Sequence, residues 1–230
     1  LAAVVLVHGL YHRPEHFALV AERLRTAGTE VVVPGLHRGS LLADTAAVQA
    51  VIDSLPEPPI VLGHSYGGSV ITGLRGAGHL VYLAAFVPDV GESAAGLGGA
   101  SPQLQDAINP EPDGSTSLHA DRAADTLYGD CPEPLAAWAA GLLRAQASGC
   151  GIPELQSWKH TPSTYVVCAQ DRAIDPVLER KMALRCTDVR EWQTGHSPFV
   201  GQPDLIVELL QELLAADTPH QPDEGVTTGR

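Results

Sequence analysis

The chain of 230 residues contains no run of about 18 consecutive apolar residues, the length a helix needs to cross a bilayer, so no membrane span is expected. Basic residues are scarce: 14 Lys and Arg stand against 27 Asp and Glu, for a net charge of −13. That balance argues against nucleic acid as a partner, because phosphates demand a Lys/Arg surface. Cysteines are few, and Cys131, Cys150, Cys168 and Cys186 show neither C-x-x-C nor Cys/His metal spacing, so no metal site is expected. Cys168 falls in an apolar strand pattern. The four read as reduced thiols, with Cys131 and Cys150 the single pair to test for a disulfide. No internal repeat is present. What remains, with 44% hydrophobic residues and a mean hydropathy of +0.03, is an ordinary soluble globule. Its length suits one domain, as a monomer or homodimer. The chain starts at Leu1 without a methionine; a removed leader stays open, and a cytoplasmic location is the expectation.

Short apolar runs alternate with amphipathic stretches. Leu1 to Val7 reads as a buried strand ending in His8-Gly9, and Pro14 opens a helix through about Thr26 that Gly28 stops. Val31-Val32-Val33-Pro34 predicts a second strand, Leu42 to Leu55 a second helix, and Ile60 to Leu62 a third strand. His79 to Ala84, Thr164 to Ala169 and Val189 to Gln193 supply three more, and Pro203 opens a last helix to about Ala216. Such alternation implies right-handed βαβ crossovers. The expected fold class is therefore α/β: a doubly wound, mostly parallel six-stranded sheet flanked by helices. From about 88 to 162 the alternation stops. Gly, Pro, Ser and Asp cluster there without a strand pattern, while Asp121 to Tyr128 and Pro134 to Gln146 look helical. This segment reads as a helical cap inserted into a single domain of residues 1–216, with core segments 1–87 and 163–216. Its aromatic residues and leucines argue against a disordered linker. Residues 217–230 read as a frayed polar tail.

The most informative stretch is Gly63-His64-Ser65-Tyr66-Gly67-Gly68, entered from Pro59-Ile60-Val61-Leu62. It matches the G-x-S-x-G nucleophile elbow, a tight strand-to-helix turn that projects a serine hydroxyl from the top of a sheet. Side chains at 63 and 67 would collide across that turn. A serine needs a base at neutral pH. Of ten histidines, His196 stands on the loop Thr194-Gly195-His196-Ser197-Pro198, between the last strand and the last helix, at the sheet edge where open α/β folds place their sites. The histidine in turn needs a carboxylate to hold its tautomer. Asp171, just past the fifth strand, is the first choice; Asp89 is a substitute acid, and Asp175 is better explained as a helix N-cap before Pro176. Oxyanion donors are expected from the Tyr66 amide and, in the loop His8-Gly9-Leu10, from the Leu10 amide. Gly9 permits close approach, and His12 can reach the same pocket.

With the order Ser, Asp, His, these motifs resemble the α/β-hydrolase superfamily over residues 1–216. Leu6-Val7-His8-Gly9, the elbow, and Tyr128-Gly129-Asp130-Cys131-Pro132 are similar to its small-esterase and hydroxynitrile-lyase branch. The resemblance implies a triad of Ser65, Asp171 and His196, and no cofactor. Cyanohydrin lyases of that branch carry threonine after the first-loop histidine and lysine after the catalytic one. Here those positions hold Gly9 and Ser197, which favours an esterase acting on a small, largely apolar ester. The cap would supply a pocket from Tyr11, Phe86, Leu104, Tyr128, Leu135, Trp138 and Trp158. A lyase, cyclase or other proton-shuttling enzyme on the same scaffold, and a non-catalytic small-molecule binder, are the alternatives.

Overall fold

β-Branched and apolar runs too short for helices become strands buried on both faces. The computed structural model describes residues 2–147 and 151–216, so the tail and Cys150 lie outside the described residues. Its strands are β1 (Val4–Val7), β2 (Val31–Val32), β3 (Ile60–His64), β4 (His79–Leu83), β5 (Ile108–Pro110), β6 (Thr116–Leu118), β7 (Ser163–Cys168) and β8 (Asp188–Trp192). The helices are α1 (Ala18–Thr26), α2 (Leu41–Ser54), α3 (Tyr66–Thr72), α4 (Ala94–Leu97), α5 (Pro102–Gln105), α6 (Ala120–Tyr128), α7 (Glu133–Leu142), α8 (Pro176–Ala183), α9 (Pro198–Gly201) and α10 (Pro203–Ala216).

Six strands form one parallel sheet in the order β2-β1-β3-β4-β7-β8. Period-2 alternation sorts their side chains between two cores. Val4, Leu6, Ile60, Leu62, Val81, Leu83 and Val166 join α1 and α10 residues on one face. On the other, Val5, Val7, Val61, Leu80, Tyr82, Tyr165 and Val167 meet α2, α3 and α8. The chain winds outward from β1 to β2 and then returns past β1 to β3. The strand order therefore reverses between β1 and β3, and crevices form beyond the carboxyl ends of strands at such a reversal.

The structure refines several sequence expectations. Pro14–Phe17 is a 3-10 turn ahead of α1, and β2 pairs only at Val31 and Val32, before Pro34 removes a donor. The segment between β4 and β7 is not purely helical. β5 and β6 pair antiparallel through Ile108 with Leu118 and Pro110 with Thr116, closed by a turn in which Gly114 has φ 82°. Three-residue strands containing Asn and Pro carry no alternation to read; the Pro112-Asp113-Gly114 turn was the only legible signal. Cys131, Cys168 and Cys186 carry free thiols. Among the described residues no helix is long and apolar enough to cross a membrane.

Leu62, fully buried at the centre of the sheet, tests this packing. Leu62→Ala is expected to lower unfolding stability by about 2–5 kcal/mol in urea titration; a loss under about 1 kcal/mol would contradict a close-packed site there.

Candidate active site

The elbow is built by backbone approaching backbone. A Cβ at Gly63 would stand 2.6 Å from the Gly67 carbonyl oxygen, and one at Gly67 would stand 2.5 Å from that of Val7. Neither distance is tolerable, so glycine at both positions lets α3 start directly over the β1–β3 edge. Ser65 between them adopts φ 55°, ψ −120°, a strained conformation for a residue with a side chain. It is held by Ser65 N–H to Leu83 (3.2 Å) and by Gly68 and Phe86 N–H groups on the Ser65 carbonyl (3.0 and 3.2 Å).

His196 arrives from the loop after β8, and Asp171 from the loop after β7. The His196 Nδ1–H donates to Asp171 Oδ2 at 2.5 Å, with both side chains almost wholly buried. Asp171 Oδ1 accepts the Ala173 and Ile174 amides at 2.6 and 3.0 Å. This arrangement orients the imidazole and leaves His196 Nε2 with a lone pair. Ser65 and His196 line one cavity of about 150 Å³. No hydrogen bond joins them among the described residues, the looser geometry common before substrate binds. Asp89 instead pairs with Lys159 at the surface, and Asp175 caps α8 by accepting the Val177 amide at 2.8 Å.

Leu10, Tyr11, His12, Tyr66, Phe86 and Leu104 line the cavity, together with Ala94, Ala95, Gly99, Ala100, Ile108, Leu127, Ala173 and Ile174. None of these residues is Asp, Glu, Lys or Arg. Several expected lining residues belong elsewhere. Gly9 lies under the site, where a Cβ would stand 3.0 Å from the Ser65 Cβ. Tyr128 is buried behind the wall and donates its hydroxyl to His12 Nε2 at 2.9 Å. Leu135 packs into the core, and Trp138 stands beside His16 with 37% exposure, because α7 turns its apolar face to α9 and α6. Trp158 donates to the Pro88 carbonyl at 3.0 Å, away from the cavity. The small residues of α4 and the loop after it were missed by sequence reading, since alanines and glycines give no signal until the insertion folds over the sheet. For Ala173 and Ile174 a signal existed: an aspartate opening a tight turn commonly binds the amides two and three residues on.

Behind the cavity the histidines form a buried cluster. His12 Nδ1–H donates to the Leu10 carbonyl at 2.8 Å, which ties Tyr128 through His12 to the first loop. The His64 ring sits 4.5 Å from that of His196, and its Nε2–H donates to the His196 carbonyl at 2.9 Å. Asp130 accepts the Gly195 amide at 2.6 Å, bracing the same loop from the insertion. Desolvation pushes His8 down to about 4 from an ordinary 6.5 and holds His12, His16 and His64 below the usual range as well. These rings are neutral at pH 7. Among the described residues no group of three or more His, Cys, Asp or Glu has the arrangement to hold a metal ion.

Residues 4–209 match the family model described as the alpha/beta hydrolase family. The chain belongs to the alpha/beta hydrolase family. It is 32% identical over 239 residues to alpha/beta hydrolase nvfD of Aspergillus novofumigatus, covering 91% of this chain and 95% of that protein. A carbendazim hydrolyzing esterase of a Nocardioides species is 34% identical over 128 residues, 48% of this chain and 50% of that one. Among solved structures, the pyrethroid hydrolase of Sphingobium faniae superposes with a TM-score of 0.83 at 21% identity, over 94% of this chain and 98% of that one, which shows the shared fold. These likenesses agree with the esterase-like branch that the sequence motifs resemble.

Two outcomes follow for this alpha/beta hydrolase. Gly67→Ala is expected to lose about 1–3 kcal/mol of stability in urea unfolding, because the added methyl meets backbone rather than a movable side chain. The buried neutral histidines have folded pKa values below 6.5, so the unfolded chain takes up their protons first. Melting temperature should therefore fall as pH drops from 6.5 toward about 4; a flat profile over that window would show that they are protonated in the folded protein.

Proposed function

We propose that this protein is a serine carboxyl-ester hydrolase that acts on small, uncharged, largely apolar esters through an acyl-enzyme. The observation that carries the reading is the 2.5 Å His196–Asp171 hydrogen bond opening onto the cavity that also holds Ser65 at its strained elbow. In this scheme His196 Nε2 takes the Ser65 proton as Oγ attacks the acyl carbon, and Asp171 stabilises the resulting imidazolium. The tetrahedral oxyanion is received by the Leu10 and Tyr66 N–H groups, where loss of one donor costs about 3 kcal/mol of transition-state stabilisation. Protonated His196 then gives its proton to the leaving alcohol. Water repeats the sequence on the acyl-enzyme and frees the acid.

The substrate class follows from the walls. Among the described residues no Lys or Arg lines the cavity to offset the desolvation of a charged acid or phosphate. An apolar space of about 150 Å³ suits one benzene-sized group. In this reading the insertion between β4 and β7 acts as a cap: α4 and α5 with their flanking residues enclose that group, and the remainder of a larger ester extends toward the surface. The esterase and hydrolase names carried by relatives support the same chemistry.

Ser65→Ala is expected to lower kcat for short p-nitrophenyl esters by about 10³-fold or more, and a serine-directed phosphonate should label Ser65 in mass spectrometry. Wild-type turnover by the alanine variant would sink the proposal. Conversion of a non-ester substrate without a trappable acyl-enzyme would point to proton-shuttle chemistry instead.

A further inference from the structure

Glu179 is a second carboxyl group behind the candidate triad, and the mechanism above does not use it. It lies near the start of α8, fully buried, on the helix face turned toward the end of β7. Cys168, the last residue of β7, anchors both acids. Its N–H donates to Glu179 Oε2 at 3.0 Å, while its carbonyl accepts the Asp171 N–H at 3.0 Å. Glu179 Oε1 is buried and has no N–H or O–H donor among the described residues. Brought together by Cys168, the two carboxyls are near enough for the Asp171 charge and a side-chain hydrogen bond to act on Glu179.

Two buried acceptors this close need a proton between them. Among the described residues no cation pairs with Glu179, since Arg180, the next residue, turns outward to Glu191 with contacts of 2.7 and 3.0 Å. The other titratable groups facing Glu179 are the Cys168 thiol and the Tyr165 phenol, both pushed up by burial and so neutral. Which acid holds the proton is decided by counting donors. Asp171 accepts from two amides and from His196, whereas Glu179 accepts from one amide, so the spare proton belongs on Glu179.

We propose that the Glu179 carboxyl is protonated in the folded protein and donates a hydrogen bond to the Asp171 carboxylate, making Glu179 a positioning residue for the acid that orients His196. The role rests on reading Asp171 as the acid of the triad; the location of the proton does not. Burial, and next to it the Asp171 charge, hold Glu179 well above the usual carboxylate range, which agrees with this assignment. With that bond the Asp171 carboxylate has donors on every side and cannot swing away from the imidazole.

Glu179→Gln and Glu179→Leu separate the possibilities. The glutamine keeps both contacts, its carbonyl accepting from Cys168 and its amide donating to Asp171; the leucine keeps neither. Ester hydrolysis by Glu179→Leu should lose about 10- to 100-fold in kcat with little change in KM, and Glu179→Gln should recover most of that loss. A glutamine variant as impaired as the leucine one would overturn the positioning role. The proton itself is read without activity, by thermal unfolding of the full chain between about pH 5 and 9. The unfolded chain releases the Glu179 proton above about pH 4.3 while the folded protein keeps it, so wild type alone loses stability through this group as pH rises. The melting temperature of Glu179→Gln should thus gain on wild type with rising pH. A constant gap would show an ionised Glu179 and end the proposal, even if the esterase reading held. If Ser65→Ala kept its activity while the gap widened, the proton would stand and the catalytic reading would fall.

Discussion

Everything at the candidate site depends on how closely the start of α3 approaches the ends of β1 and β4. The Gly67 backbone sits where a Cβ would press on the Val7 carbonyl, and the Gly68 backbone sits where one would press on that of Phe86. Contact of this kind forces the chain to reverse within one residue, and Ser65 carries the strain with φ 55°. The hydroxyl is thereby lifted out of the sheet. Had the turn been wider, the serine would lie along the sheet surface, beyond the reach of a loop that follows β8. The strain is offset by three backbone hydrogen bonds on Ser65 and by strands packed on both faces.

Around this turn the protein builds an environment of low polarity with one well-supported charge. Four buried histidines are kept neutral by desolvation, so they act as rigid hydrogen-bonding spacers rather than as competing cations. Asp171 is held among them by two amides and the His196 imidazole. The insertion contributes twice. Its apolar residues enclose the cavity, and its Tyr128 and Asp130, two positions apart at the end of α6, reach the first loop and the His196 loop respectively.

Legibility from sequence followed the range of the interactions. The six strands of the parallel sheet, most of α1, α2, α6 and α10, and the elbow depend on neighbours within a few residues, through periodicity, caps and steric limits, and all were readable. The β5–β6 hairpin was not, because three-residue strands leave no period. His196 drew notice in the sequence because it follows a late strand, and the structure places it beside Asp171 at the cavity. Trp138, Trp158 and Leu135 were misplaced because aromatic and leucine content says that a segment packs without saying against what.

By itself the sequence determined the βα alternation, the glycine-dependent turn at Ser65 and the net negative charge, since each follows from local sterics or from composition. Only the tertiary structure decided the strand order that puts the reversal between β1 and β3, the pairing of His196 with Asp171 and of Lys159 with Asp89, the alanine- and glycine-lined cavity, and the nearness of Glu179 to Asp171. Those features join residues from eight to more than a hundred positions apart. Their geometry exists only once the sheet is assembled and the insertion is laid across it.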